Sequence, residues 1–192
     1  GCWRGCTLDR AVSNFESFKN HVSVLFWSLG NESYAGDILV EMNRYYKEKD
    51  PDRLVHYEGV AENRPYEDLI SDMESQMYAP PEKIKEYLEN NPKKPFILCE
   101  YMHDMGNSLG GMESYIRLLD QYEDYQGGFI WDYIDQALFV KDEVTGRDVL
   151  RYGGDFDDRP SDYEFSGNGI LFADRTEKPA MQEVRHYYGL RR

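Results

Sequence analysis

The feature that most constrains the fold is an alternation of short apolar runs with longer amphipathic segments. Each run has the length and composition of a buried strand, and the segments between them carry apolar residues at helical spacing. Strands that alternate with helices pair in parallel through right-handed crossovers. The sequence therefore predicts an α/β fold of about five parallel strands with flanking helices. The predicted strands are Val24–Leu29, Leu54–Tyr57, a weaker run Leu69–Met73 towards Met77 and Tyr78, Phe96–Cys99, and Gly127–Trp131.

The segments between the runs predict five helices. Asp37 is the expected cap of the second helix, and Pro81 fits the first turn of the third. The expected helices cover about residues 7–19, 37–50, 81–88, 109–119 and 181–188. Leu138–Tyr152, with Thr145-Gly146 in the middle, predicts a β-hairpin. Without a linker or a repeat, residues 1–192 are expected to form a single domain.

Composition and charge exclude several classes of protein. The 192 residues are 41% hydrophobic and 30% charged, as in globular proteins, and the net charge is −14. Such a field repels a phosphate backbone, so no nucleic-acid partner is expected, and no apolar run is long enough to predict a membrane span. Three cysteines, Cys2, Cys6 and Cys99, without an export signal favour a reducing cytoplasm.

Polar residues follow four of the apolar runs directly. The runs end in SLGNE, VHYEG, CEYMHD and WDYIDQ. In parallel α/β barrels the carboxyl ends of the strands form the active site. A closed barrel needs eight strands and typically about 250 residues. The sequence therefore leaves two possibilities, an open α/β sheet or part of a barrel.

Two of these strand-end residues, Glu32 and Glu100, are candidate catalytic carboxylates. A pair of carboxylates across a cleft cleaves glycosidic bonds, and enzymes that retain the anomeric configuration hold the two groups about 5–5.5 Å apart. With 36 acidic residues in the chain, any two at strand ends are weak support for this chemistry.

Longer sequence motifs around the two glutamates support a catalytic role for the pair. From about residue 8 to 188 the chain resembles the β-galactosidases of glycoside hydrolase family 2, with the motifs in the family's order. The resemblance implies that the chain forms strands four to eight of a (β/α)8 TIM barrel, and therefore an incomplete barrel. The motifs are 21–33 (HVSVLFWSLGNES), 95–111 (PFILCEYMHDMGNSLGG), 126–136 (QGGFIWDYIDQ), 152–156 (YGGDF) and 165–169 (FSGNG).

The resemblance implies catalytic roles for three residues. Glu32 matches the general acid/base, and Glu100 matches the nucleophile. Tyr78, in the sequence Gln-Met-Tyr, matches a tyrosine that donates a hydrogen bond to the nucleophile. By the same resemblance Glu32 also contacts a Mg²⁺ ion.

Five further residues are assigned to the substrate and cation sites by the resemblance. Asn31 and His103 match contacts to sugar hydroxyls, and Trp131 matches the apolar floor under the sugar. Phe165, through its carbonyl, and Asn168 match substrate-site positions that bind a monovalent cation, Na⁺ or K⁺. The remaining ligands of both cations, in the family, precede the first residue of this chain.

The chain departs from the family pattern at several positions. Val22 replaces a proline, and Asp104 stands where an alanine is usual. The Asp104 carboxylate could repel the charge of the nucleophile or point to solvent. Asp157 replaces a typical glycine, so its turn is expected to differ.

The predicted function is retaining hydrolysis of terminal β-D-galactosides such as lactose, through a galactosyl-enzyme, in a bacterial cytoplasmic protein that looks truncated. One alternative is a catalytically inactive structural fragment of such an enzyme. Another is a related family 2 glycosidase with a different sugar preference. Open strand edges predict a homo-oligomer or association with the missing part of the enzyme.

Overall fold

The computed structural model of the chain describes residues 3–190, which form two compact units. The first unit contains the described residues up to Cys99 together with Tyr122–Gln126. The second contains Glu100–Gln121 and the described residues from Gly127 onward. The expectation of a single domain stays a prediction.

Parallel strands alternate with helices, as predicted, and the barrel is not closed within this chain. Short 3₁₀ helices lie at Glu58–Ala61, Arg64–Tyr66 and Tyr163–Ser166. The helices are α1 Arg4–Phe18, α2 Asp37–Lys49, α3 Glu67–Ile70, α4 Pro81–Glu89, α5 Met112–Gln121 and α6 Met181–Gly189. The strands are β1 Phe26–Ser28, β2 Leu54–His56, β3 Glu74–Met77, β4 Phe96–Tyr101, β5 Tyr125–Ile130, β6 Leu138–Lys141 and β7 Asp148–Arg151.

Strand pairing positions the polar strand ends. β1 and β2 pair in parallel with Trp27 opposite Val55 and Ser28 opposite His56. The ladder continues one step further, where the Leu29 N–H donates to the His56 carbonyl at 3.1 Å. β3, β4 and β5 form a second sheet in that order. The predicted hairpin is confirmed, because β6 and β7 pair antiparallel around Thr145 and Gly146.

The core of the first unit lies between its strands and the helices α1, α2 and α3. Trp27 stacks on Tyr46 with ring centroids 5.2 Å apart, and Phe15 packs against both rings. The other fully or nearly buried members of this cluster are Ala11, Leu29, Ala35, Leu39, Val40, Met42, Val55, Tyr57, Val60 and Ile70.

The first predicted strand is not buried on both faces as its apolar run indicated. Trp27 is 2% exposed, but Ser28 on the opposite face of β1 is exposed, and Leu25, which precedes β1, is 73% exposed. Only the face that packs on the helices is covered, because the opposite face of a barrel strand is covered by strands across the barrel, and this chain does not close one.

Three predicted boundaries were wrong. Leu69 and Ile70 belong to α3, and the following strand begins at Glu74. The helix expected from Leu109 begins at Met112, because Leu109 has a left-handed φ of 62° that interrupts a helix. Asp37 is the first residue of α2 after the cap Gly36, and it accepts a hydrogen bond from the Tyr66 hydroxyl at 2.8 Å.

The second unit has a smaller core in which α5 packs against α6. Met112, Ile116, Ile170 and Val184 form its buried cluster. The backbone N–H that opens α5, at Met112, donates to Glu183 Oε1 at 2.9 Å, so α6 provides the cap of α5.

No helix among residues 3–190 is both long and apolar enough to cross a membrane. The Cys6 side chain is exposed and that of Cys99 is half-buried, whereas Cys2 lies outside the described residues.

We expect Ile70→Ala to lower the free energy of unfolding by about 2–5 kcal/mol, since it leaves a cavity in the core of the first unit. Ile70 is fully buried, whereas its neighbour Leu69 is 53% exposed. Leu69→Ala in the same helix is therefore the matched control, with an expected change below about 1 kcal/mol. Urea titration measures both, and equal effects of the two substitutions would contradict the packing of α3.

Candidate active site

The residues predicted to form the site divide between the two units, and six of them lie in or just after a strand, whereas Phe165 and Asn168 lie in and after the 3₁₀ helix Tyr163–Ser166. Asn31 and Glu32 come after β1, and Tyr78 comes after β3, all in the first unit. Glu100 lies in β4, with His103 just after it, and Trp131 directly follows β5. These three belong to the second unit with Phe165 and Asn168.

Glu32 is presented by a loop in an unusual backbone conformation. Its φ is +52°, in the left-handed region that residues with a side chain rarely adopt. Its backbone N–H donates to Glu58 Oε1 at 2.5 Å, and the side chain of Glu32 itself is exposed. Glu58, which follows β2, is 7% exposed.

The rest of this loop is attached to the same neighbouring segment. The Tyr57 hydroxyl donates to the Ser33 carbonyl, and Asn63 Nδ2 donates to the Ala35 carbonyl at 2.6 Å. A Cβ on Gly59 would lie 2.6 Å from the Ser33 oxygen, so only glycine allows this close approach. The residues after β2 thus form the support of the loop that carries Glu32.

A line of hydrogen bonds crosses three strands beneath these loops. His56 Nδ1 lies 2.9 Å from Ser28 Oγ, and His56 Nε2 lies 2.7 Å from Ser75 Oγ. Burial lowers the pKa of His56 to about 4, so the imidazole is neutral at physiological pH. A neutral imidazole donates from one nitrogen and accepts at the other, which suits a hydroxyl on each side.

Tyr78 and Glu100 are partly accessible. Tyr78 is 40% exposed and has a left-handed φ of 53°. Glu100 is half-buried near the carboxyl end of β4, between Cys99 and the buried Tyr101. Both positions are compatible with contact to a ligand.

In the second unit, three of the predicted residues lie together. The His103 and Phe165 rings meet edge to face with centroids 6.1 Å apart. Asn168 is 4% exposed, and its Nδ2 donates to the Phe165 carbonyl. Its other amide atom, Oδ1, is buried and has no hydrogen-bond partner among residues 3–190.

Backbone hydrogen bonds connect Trp131 to the same region. Trp131 N–H donates to the Tyr101 carbonyl at 3.0 Å, and its own carbonyl accepts from Asp104 N–H at 2.9 Å. The next residue, Asp132, donates its N–H to the Asn168 carbonyl at 2.7 Å. The Trp131 side chain is 37% exposed, so it is not the core residue that its apolar run alone would indicate.

Asp104 and Asp157, which depart from the family's sequence pattern, differ in their surroundings. Asp104 does not point to solvent: it is 3% exposed, and its Oδ2 has no hydrogen-bond partner in the described part of the chain. Burial raises the pKa of this carboxyl, which reduces the penalty for placing it inside the protein. Asp157 has the left-handed φ of 57° that a glycine adopts easily, so the aspartate keeps a glycine-like turn.

The sequence motifs do not indicate a partly buried ion pair that holds the segment around Asn168. Asp135 Oδ1 accepts from Lys178 Nζ and from Gly169 N–H, both at 2.8 Å. Lys178 Nζ also donates to the Gly167 carbonyl at 3.2 Å. The signal in the sequence was only a strand-end carboxylate, without an indication of its partner.

No cluster of three potential metal ligands among His, Cys, Asp and Glu occurs within residues 3–190. The described residues therefore contain no complete site of this kind around Glu32.

Comparison with known proteins identifies the family. A family model described as "Glycosyl hydrolases family 2, TIM barrel domain" matches residues 1–191. The chain belongs to glycosyl hydrolase family 2. The resemblance drawn from the motifs is thereby confirmed, and the open set of parallel strands is part of the family 2 barrel.

Several family 2 proteins are close relatives in sequence. The "Beta-galactosidase large subunit" of Latilactobacillus sakei is 73% identical over 97% of this chain and 30% of its own length. The "Beta-galactosidase" of Halalkalibacterium halodurans is 60% identical over 97% of the chain and 18% of its own length. The chain thus spans about a third or less of the relatives it matches.

The solved structures extend the likeness in fold. A Faecalibacterium prausnitzii β-glucuronidase superposes with a TM-score of 0.64 at 19% identity, over 98% of this chain and 35% of that one. At this identity the likeness concerns the fold alone.

The neutral His56 makes the stability of the family 2 domain depend on pH. In the unfolded chain its pKa returns to about 6.5, so between pH 6.5 and pH 4 the unfolded state binds a proton that the folded state does not. Stability is therefore lost as the pH falls through this window. Asparagine does not titrate, so we expect the free energy of unfolding of His56→Asn to fall less with decreasing pH than that of the wild type. The difference is up to about 3 kcal/mol, since one pKa unit corresponds to about 1.4 kcal/mol.

Urea titrations of the wild type and the variant at pH 7.5, 5.5 and 4 test this expectation. Parallel pH profiles of the two proteins would contradict a neutral buried His56.

Proposed function

We propose that the protein carrying this chain is a retaining β-galactosidase, that the chain supplies both catalytic carboxylates, and that its substrates are terminal β-D-galactosides such as lactose. The main support is identity: relatives named β-galactosidase match 97% of the chain at 73% and 60% identity. Glu32 and Glu100 occupy strand-end positions of family 2 barrel strands, where this fold forms its active sites.

The two glutamates have distinct tasks in this mechanism. The Glu100 carboxylate attacks the anomeric carbon and forms a galactosyl-enzyme, while Glu32 donates its proton to the glycosidic oxygen as that bond breaks. Glu32 then takes a proton from the incoming water, which attacks the anomeric carbon and releases Glu100. Two inversions at one carbon retain the β configuration.

The remaining predicted residues bind or orient the sugar. Asn31 and His103 contact galactose hydroxyls, and these contacts accelerate the reaction to the extent that they strengthen in the transition state. The partly exposed Trp131 forms an apolar floor for the sugar ring. Tyr78 donates a hydrogen bond to Glu100.

A monovalent cation fits the substrate-site residues Phe165 and Asn168. A buried amide oxygen without a partner is costly, and Asn168 Oδ1 is such an atom beside the Phe165 carbonyl. Two neutral oxygens suit Na⁺ or K⁺, which would fix the segment that contacts the sugar. Mg²⁺ would take Glu32 as one ligand, although no group of three or more His, Cys, Asp or Glu side chains that could hold a metal occurs in the described residues.

The protein is also proposed to work as an assembly in the bacterial cytoplasm. The relative from Latilactobacillus sakei is called a large subunit, which supports association with a small subunit or with further copies. The chain by itself is then an incomplete catalytic unit.

We expect Glu100→Gln in the complete protein to lower kcat for an aryl β-galactoside by at least about 10³-fold, because an amide is a poor nucleophile. Trapping with a 2-fluoro-galactoside followed by peptide mass spectrometry should place the sugar on Glu100 in the wild type. Label on another residue would contradict the assignment. The matched aryl β-glucuronide is the specificity control, and faster hydrolysis of it would favour a different family 2 glycosidase.

The cation assignment predicts a separate effect. Replacing Na⁺ and K⁺ by a bulky organic cation should raise KM for the galactoside in the wild type, and Asn168→Ala should abolish this dependence. Direct titration of Na⁺ binding by ²³Na NMR provides a readout independent of activity. An unchanged cation dependence in Asn168→Ala would exclude Asn168 as a ligand.

A further inference from the structure

We propose that Glu58 is a positioning residue for the acid/base glutamate: its carboxylate accepts the backbone N–H of Glu32 and thereby fixes the direction in which Glu32 reaches the leaving-group oxygen. This inference rests on the proposed role of Glu32.

The backbone of Glu32 needs such a partner. A left-handed conformation is unfavourable for a residue with a Cβ, and Glu32 has a φ of +52°. Its N–H donates at 2.5 Å to a carboxylate, and hydrogen bonds of this charge-assisted kind are roughly twice as strong as neutral ones. The bond therefore offsets the conformational penalty at the residue that performs the proton transfer.

Glu58 itself is held in place. It is 7% exposed, in the 3₁₀ turn that directly follows β2. A buried carboxylate is stable only when donors satisfy its oxygens, and the Glu32 N–H is one of these donors. Because the side chain has little room to move, it defines a fixed point for the loop after β1.

The same segment fixes the loop beyond Glu32. The Ser33 and Ala35 carbonyls are bound by Tyr57 and Asn63, and Gly59 allows the Ser33 backbone to approach closely. Within the described residues the Glu32 side chain is exposed. The backbone, which Glu58 holds, sets the point from which its carboxyl extends.

The chemical consequence depends on the leaving group. Phenolate leaves slowly without a proton, so the step in which Glu100 bonds to the anomeric carbon requires transfer of the Glu32 proton to the phenolic oxygen. Dinitrophenolate leaves as the anion, and the same step then needs no proton. A displaced acid/base therefore slows phenyl galactoside far more than dinitrophenyl galactoside.

The experiment measures kcat/KM for phenyl and 2,4-dinitrophenyl β-galactoside in the complete protein. We expect Glu58→Ala to reduce kcat/KM about 10–100-fold for the phenyl substrate, as for a group misplaced by about 1 Å, and less than about threefold for the dinitrophenyl substrate. Glu58→Gln, which keeps an acceptor oxygen at the same length, should recover most of the phenyl activity. The exposed Glu62, four residues later, gives the matched control Glu62→Ala, for which both substrates should react as in the wild type.

Equal losses on both substrates in a folded Glu58→Ala protein would overturn the proposal, because they would indicate a general structural role. If circular dichroism shows that the alanine variant does not fold, Glu58→Asp decides, since it retains the charge but withdraws the acceptor from the Glu32 N–H. A selective phenyl loss in Glu58→Asp supports the proposal, and equal losses overturn it.

Glu32→Ala separates this inference from the proposed function. A steep dependence on the leaving group in Glu32→Ala with none in the Glu58 variants would overturn only the role of Glu58. Equal losses on both substrates in Glu32→Ala would instead remove the acid/base assignment itself.

Discussion

Parallel pairing of β1 with β2 is the interaction on which the geometry around Glu32 depends. In a parallel pair the two carboxyl ends lie side by side, so the loop after each strand meets the loop after its neighbour. The ladder places Ser28 opposite His56 and ends with the Leu29 N–H on the His56 carbonyl. The contacts between the Glu32 loop and the residues after β2 depend on that register. A shift of one residue would turn the side chains of the strand to the other face of the sheet.

Buried and partly buried polar groups then restrict the positions of segments that strand pairing alone does not fix. In the first unit the neutral His56 connects the hydroxyls of Ser28 and Ser75, which ties three strands together without burying a charge. In the second unit Asp135 and Lys178 hold the backbone at Gly167 and Gly169. A hydrogen bond of this kind is stronger in the interior than in water, and an unpaired group there is correspondingly costly. Both networks therefore favour one arrangement of the strand-end segments.

Much of this organisation could be predicted from the sequence, and the errors have physical causes. The positions of β2, β4 and β5 and the hairpin followed from apolar runs and turn residues. The segment around Leu69 was misassigned because short apolar runs suit a strand and a helix equally well. The start of α5 was missed because the left-handed backbone at Leu109 is not visible in a periodic pattern. Gly36, rather than Asp37, caps α2, since cap geometry depends on backbone angles that composition does not fix.

The sequence by itself determined the alternation of strands and helices, the family, and the identity of the strand-end glutamates, because motifs and periodicity are properties of residues close together in the chain. Only the tertiary structure decided that Glu58 holds the Glu32 backbone, that Asp104 is buried, and that the Asn168 amide oxygen has no partner. Hydrogen bonding and burial depend on which distant residues meet in space. Glu58 and Glu32 are separated by a whole helix and a strand, and only strand pairing brings them into contact.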